Sequence, residues 1–141
     1  MPLTTALLMV GALLLVTVVI GLVWRAGDGR RRRAAGRLEV NRLGLEPGRA
    51  TLVLFSTETC ARCPHVRRML HDVLAERDAI DVHDVDLTRR ADLAAENRIL
   101  STPTTLLVDA QARIVARFVG VPRRDDIISA LDELPALQET A

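Results

Sequence analysis

No lysine and no tyrosine occur in this 141-residue sequence, and its aromatic residues are three, Trp24, Phe55 and Phe118. A stacking platform for single-stranded nucleic acid therefore has no material, because such sites lay successive bases on aromatic rings. The formal net charge is only +1, which argues against both a nucleic-acid binder and an acidic interaction tail. With lysine absent, every basic residue other than histidine is arginine, a compositional bias from which no chemistry follows. Cysteine is scarce too. Two occur, Cys60 and Cys63, whereas a disulfide-stapled secreted scaffold needs more of them spread along the chain. A pair this local closes no long loop. The length leaves room for one domain of roughly 100 to 150 residues plus an appendage.

What is present is first a long uncharged run. Leu3 to Trp24, LTTALLMVGALLLVTVVIGLVW, would reach roughly 33 Å as a helix at about 1.5 Å per residue, enough to cross a bilayer core. A helix apolar on every face is hard to bury inside a small protein. A cleavable signal peptide is the competing reading, and it has a basic segment before a shorter apolar stretch and a small-residue cleavage site. Here nothing basic precedes the run, and Arg25 and the four arginines Arg30 to Arg33 follow it. The expectation is a single-pass anchor over residues 1–24, in contact with the lipid bilayer through 3–24, with Trp24 at the headgroup level. The arginines are expected to hold the remainder of the chain on the cytoplasmic side of the cell membrane.

Residues 25–49 are rich in Arg and Gly and end in the turn-like Glu46-Pro47-Gly48; they read as a linker with one short helix or strand. From Ala50 the pattern changes to compact alternating elements, taken as a domain over 50–141. Thr51 to Phe55 is a short apolar run of the kind found in a strand buried on both faces. Val66, Met69, Leu70, Val73 and Leu74 then recur at helical spacing. Ile80 to Leu87 alternates as a second strand, and Ala91 to Leu100 carries a short helix. Thr104 to Asp109 and Arg113 to Val119 read as hairpin strands around Asp109-Ala110-Gln111. Pro122 lies near the first turn of a last helix containing Ile127, Ile128, Leu131 and Leu134. The fold class is α/β: a mixed sheet flanked by helices in the order βαβαββα.

Cys60-Ala61-Arg62-Cys63 falls where a strand's carboxyl end passes into a helix, the place where an open α/β sheet presents reactive groups. Backbone N–H groups and the positive end of the helix dipole stabilise a thiolate there, which marks Cys60 as the attacking thiol. Cys63, about one helical turn on, is placed to resolve a mixed disulfide by attacking the sulfur of Cys60. Such a pair also reads as two buried thiols, or as half of a zinc site. Zinc would need two further ligands, and beside His65, His71 and His83 no second paired motif exists. Covalent haem attachment requires histidine directly after the second cysteine, where Pro64 stands. No metal or organic cofactor is expected.

Taken in order, Leu52-Val53-Leu54-Phe55, Cys60-Ala61-Arg62-Cys63, Thr102-Pro103-Thr104 and Val119-Gly120 resemble the matching elements of the thioredoxin-like family, over about residues 50 to 136. The resemblance implies a cis peptide bond at Pro103 beside the dithiol, and a substrate groove in which the backbone of Thr102 pairs with an extended substrate segment. Three departures stand out. Thr59 replaces the family's tryptophan before the first cysteine, Ala61-Arg62 replaces Gly-Pro between the cysteines, and the family's buried aspartate falls at Leu54. The first strand and helix of the family look shortened or missing.

The expected function is a membrane-anchored thiol-disulfide oxidoreductase with Cys60 and Cys63 catalytic, Thr102 and Pro103 substrate-binding, and reductase activity as the main direction. Its partners would be a protein disulfide substrate and an upstream thiol-redox protein. Two rivals remain open. One is a non-catalytic anchored interaction module, and the other an extracytoplasmic redox protein for envelope or haem-protein maturation.

Overall fold

The computed structural model describes residues 3–27, 31–32 and 36–134. Met1 and Pro2 of the expected anchor, Arg30 and Arg33 of the arginine run, and 135–141 at the end of the expected domain lie outside the described residues. Helix α1 spans Leu3–Gly27, and Leu3–Arg25 has a mean hydropathy of 2.9 with none of it buried in protein. At about 1.5 Å per residue it is long and apolar enough to cross a membrane; a signal sequence meets the same test.

Five strands form one sheet: β1 (Arg31–Arg32), β2 (Ala50–Ser56), β3 (Ile80–Asp86), β4 (Thr104–Val108) and β5 (Ile114–Val119), in spatial order β1-β5-β4-β2-β3. β2 runs parallel to β3 and antiparallel to β4, while β4 and β5 form an antiparallel hairpin. Four further helices occur among the described residues: α2 (Val40–Leu43), α3 (Cys63–Leu74), α4 (Ala91–Glu96) and α5 (Arg124–Asp132). From β2 onward the order is the expected βαβαββα.

Strand β2 is central and buried along its whole length, so its side chains divide between two apolar layers by the period of two. Leu52 and Leu54 point with Val66 and Leu70 of α3, Phe118 of β5 and Ile127 and Leu131 of α5 into one cluster. Val53 and Phe55 point the other way, toward Val85, Leu93, Ile99 and Leu106. A strand covered on both faces tolerates no alternation with polar residues, which is why Thr51 to Phe55 is an unbroken apolar run.

The stretch read as a linker contributes to this core. Leu38, Leu43 and Leu45 are buried in the second cluster, the Leu38 N–H donates to Ala112 O at 2.8 Å, and Arg37 bridges Arg113. Arg31 and Arg32 pair with Phe118 and Arg117 at the sheet edge, and both terminal guanidinium nitrogens of Arg31 donate to the Glu133 carboxylate beyond α5 at 2.6 Å. Helix α4 is shorter than its apolar pattern suggests. It stops at Glu96, Asn97 caps it, and Arg98 takes a left-handed backbone with φ 53°, so Ile99 reaches the core from a loop. The last helix starts at Arg124, two residues after Pro122.

Candidate active site

Strand β2 ends at Ser56, and the chain turns through Thr57 to Arg62 before α3 begins at Cys63. Two short turns shape this loop: Cys60 N–H donates to Thr57 O at 3.1 Å, and Cys63 N–H to Cys60 O at 3.2 Å. Pro64 in the first turn of α3 suits a position where the N–H has no helical partner. The loop is tied down from outside as well. Leu87 N–H donates to Ser56 O at 2.8 Å. Glu58 N–H donates to Thr88 Oγ1 at 2.9 Å, and that hydroxyl donates to Asp86 Oδ1 at 2.5 Å. The Thr88 side-chain and backbone donors hold the Asp86 carboxyl below its ordinary pKa, because both favour the anion.

Cys60 and Cys63 are joined by a disulfide with a Cα–Cα separation of 5.5 Å. Their environments differ. Cys60 is half-buried and lines an open recess of about 460 Å³ with Thr57, Thr59, Ala61, Arg62, Ser101, Thr102 and Gly120. Cys63 is only 2 % exposed and points inward from the start of α3. A nucleophile arriving from solvent therefore meets Cys60 first. The helix N-terminus beside it supplies the positive dipole end that favours a thiolate.

The loop before β4 forms the opposite wall. The Thr102-Pro103 bond is cis, Pro103 is buried, and the Thr102 hydroxyl lies 3.3 Å from that of Thr57. Gly120 closes the recess. Its N–H donates to Pro103 O at 2.8 Å and its φ is 83°, a left-handed backbone that glycine takes without Cβ strain. Cys60 and Thr102 thus face one recess, with Cys63 behind them. His65 and His71 are exposed on α3 and away from it. Among the described residues no group of acidic, histidine and cysteine side chains is arranged to hold a metal ion.

One cluster escapes a reading of the sequence. Ser56 Oγ donates to Asp84 Oδ1 at 2.6 Å, and Arg67 Nε donates to Asp84 Oδ2 at 2.5 Å. Arg67 lies one helical turn beyond Cys63, so this network fastens the cysteine-bearing end of α3 to β3. Leu54, fully buried, pairs in register with Asp84 on one side and Thr105 on the other. No sequence signal joins Ser56, Arg67 and Asp84, because only the register of β2 against β3 brings them together.

The thioredoxin family model matches residues 42–133. A protein described as a probable thioredoxin from Methanothermobacter thermautotrophicus is 27 % identical over 81 residues, 57 % of this chain and 89 % of that protein. Among solved structures, a thioredoxin-like protein from Clostridium perfringens superposes with a TM-score of 0.57 at 26 % identity, covering 63 % of this chain and 73 % of that one. Fasciola hepatica thioredoxin does so at 0.55 and 19 % identity, covering 67 % and 86 %. With the family matched from α2 through α5 around a paired Cys60 and Cys63, the chain belongs to the thioredoxin family and is a thiol-disulfide oxidoreductase.

Proposed function

We propose that the protein is a membrane-anchored disulfide reductase in which Cys60 attacks and Cys63 resolves. The Cys60 thiolate attacks one sulfur of a protein disulfide and expels the other as a thiolate, leaving a mixed disulfide. Cys63, deprotonated, then attacks the Cys60 sulfur and releases the second substrate thiolate. Two electrons pass to the substrate, and the Cys60–Cys63 disulfide that remains is reduced again by an upstream thiol-redox protein. Thr102 lines the substrate side of the recess, where its backbone pairs with an extended substrate segment, and the buried Pro103 behind it shapes that wall. The observation that carries this assignment is the asymmetry of the two sulfurs, Cys60 in the recess and Cys63 buried.

The anchor is α1. Arg25 and Arg30 to Arg33 follow its apolar stretch closely, and such residues favour retention on the cytoplasmic side, by about 1 kcal/mol each near an anionic surface. A cytoplasmic domain works under thiol-reducing conditions, which favours the reductase direction. The test is trapping in intact membranes: Cys63→Ser should accumulate substrate disulfide-linked through Cys60, and Cys60→Ser should accumulate none. Equal trapping by the two variants would refute the assignment.

A further inference from the structure

Beside the dithiol recess lies a second cavity of about 620 Å³, within the size range of ligand sites. Four guanidinium side chains border it: Arg32 from β1, Arg37 from the bridge that follows, Arg98 from the end of α4 and Arg117 from β5. One carboxylate borders it too, Glu96, and that one is ion-paired with Arg42. Arg32 and Arg98 meet no carboxylate among the described residues. Arg117 is half-buried, and among the described residues its nitrogens donate only to carbonyls, to Asn97 O at 2.8 Å and Arg98 O at 3.2 Å. Its pKa is lowered, first by desolvation and then by the like charge of Arg98. Removing a cation from water beside another cation, without a counter-ion, is unfavourable, and an anion entering the cavity relieves both costs.

The position of the cavity indicates which anion. Ser101 lines both this cavity and the dithiol recess. Leu100, next to it, is 97 % exposed and offers an apolar contact between the two. A chain segment leaving the recess along Thr102 passes Ser101 and Leu100 before it reaches the guanidinium groups. We propose that this cavity binds an acidic segment of the disulfide substrate, so that Arg32, Arg98 and Arg117 select substrates carrying Asp or Glu a few residues from the reactive cysteine. The inference rests on the reductase reading above and adds a substrate class to it. Planar guanidinium groups suit carboxylates by bidentate pairing.

The full chain in phosphatidylcholine nanodiscs, with dithiothreitol as reductant, is given two disulfide-bridged peptides of equal length. One carries Asp-Glu-Asp beside its cysteine and the other Asn-Gln-Asn. The expected kcat/KM ratio favours the acidic peptide by about fivefold at low ionic strength and falls with added salt, as exposed and half-exposed charge pairs do. Arg98→Gly suits the left-handed backbone at that position, so it removes the charge without a folding penalty. Combined with Arg32→Gln it should bring the ratio near one, while Arg77→Gln, whose arginine pairs with Asp132 far from the cavity, should leave the ratio unchanged. A wild-type ratio near one, or a preference that survives in the double variant, overturns the inference and leaves the reductase reading standing. Reduction of neither peptide faster than by dithiothreitol alone overturns both. Absence of peptide preference, together with Arg98-dependent hydrogen-exchange protection of 97–101 in phosphatidylglycerol discs, assigns the cavity to lipid headgroups and also overturns it.

Discussion

Replacing Asp109 by alanine should destabilise the domain more than any other single change to a polar side chain in the β4–β5 hairpin. Asp109 is buried, and its carboxylate adds three side-chain bonds to the backbone bonds Asp109 N–H to Arg113 O and Ala112 N–H to Asp109 O that close the turn. Oδ1 accepts the N–H groups of Gln111 at 2.9 Å and Arg113 at 2.8 Å, and Oδ2 accepts Arg113 Nε–H at 2.7 Å. Hydrogen bonds to a charged acceptor contribute about 1.5–3 kcal/mol each, and a buried donor left without a partner carries its own desolvation cost. The Arg113 side chain is substantially exposed, so its ionic share is screened and adds little. Gln111 is itself at the surface, and water recovers part of what its N–H loses. The net loss is therefore about 2–3 kcal/mol, nearer one full charged hydrogen bond than three. For a domain of roughly 100 residues this lowers Tm by about 10–20 °C. Thermal and urea unfolding of the full chain in detergent, followed by circular dichroism, reads it directly. Asp109→Asn keeps the Oδ1 acceptor and should cost about 1 kcal/mol. An alanine variant within 0.5 kcal/mol of wild type would show that the turn is held by its neighbours, and an asparagine variant as damaged as alanine would show that charge outweighs acceptor geometry.

In the same turn Ala112 has φ 62°, so Ala112→Gly should stabilise the protein by about 0.5–1 kcal/mol in the same unfolding assay, because glycine alone takes this backbone without Cβ strain. The Asp86 carboxyl, held below its ordinary pKa by Thr88, contributes stability that is present above the unfolded-state value of about 3.9 and lost as pH falls through the lower folded value. Asp86→Asn should therefore be less stable than wild type at neutral pH and converge with it in acid, and NMR titration of the carboxyl should place its midpoint below that of a free aspartate. Truncating Phe118, fully buried between β5 and the α3–α5 layer, should cost about 3–5 kcal/mol, measured by denaturant unfolding. Reporters fused after Ala141 should fluoresce if they require the cytoplasm and stay inactive if they require the outside; activity of the outside-only reporter would reverse the proposed orientation.

The core from β2 to α5 is legible in the sequence because each element carries its own period: an unbroken run at Thr51 to Phe55, helical spacing from Val66 to Leu74, alternation from Arg113 to Val119. The dithiol is legible because two cysteines three positions apart at a strand-to-helix passage leave few other chemistries. What precedes β2 is not. Arg31 and Arg32 form a strand only by adding to the β5 edge, and a strand of two arginines has no apolar pattern to betray it. Leu38, Leu43 and Leu45 reach the core without a regular period, so their burial depends on the shape of the layer they cover. Arg98 ends α4 by a left-handed turn where glycine would have announced the stop. Ser56, Arg67 and Asp84, and equally the arginines around the second cavity, meet only through strand register and loop closure, which no local window contains.

The division of labour between the two sulfurs is tested most directly by alkylating the reduced full chain with iodoacetamide across a pH series and locating the label by mass spectrometry. Cys60 should react first, with a midpoint below that of a free thiol at about 8.5, and Cys63 should stay unlabelled until the protein unfolds. Faster labelling of Cys63, or a Cys60 midpoint at the free-thiol value, would contradict the account.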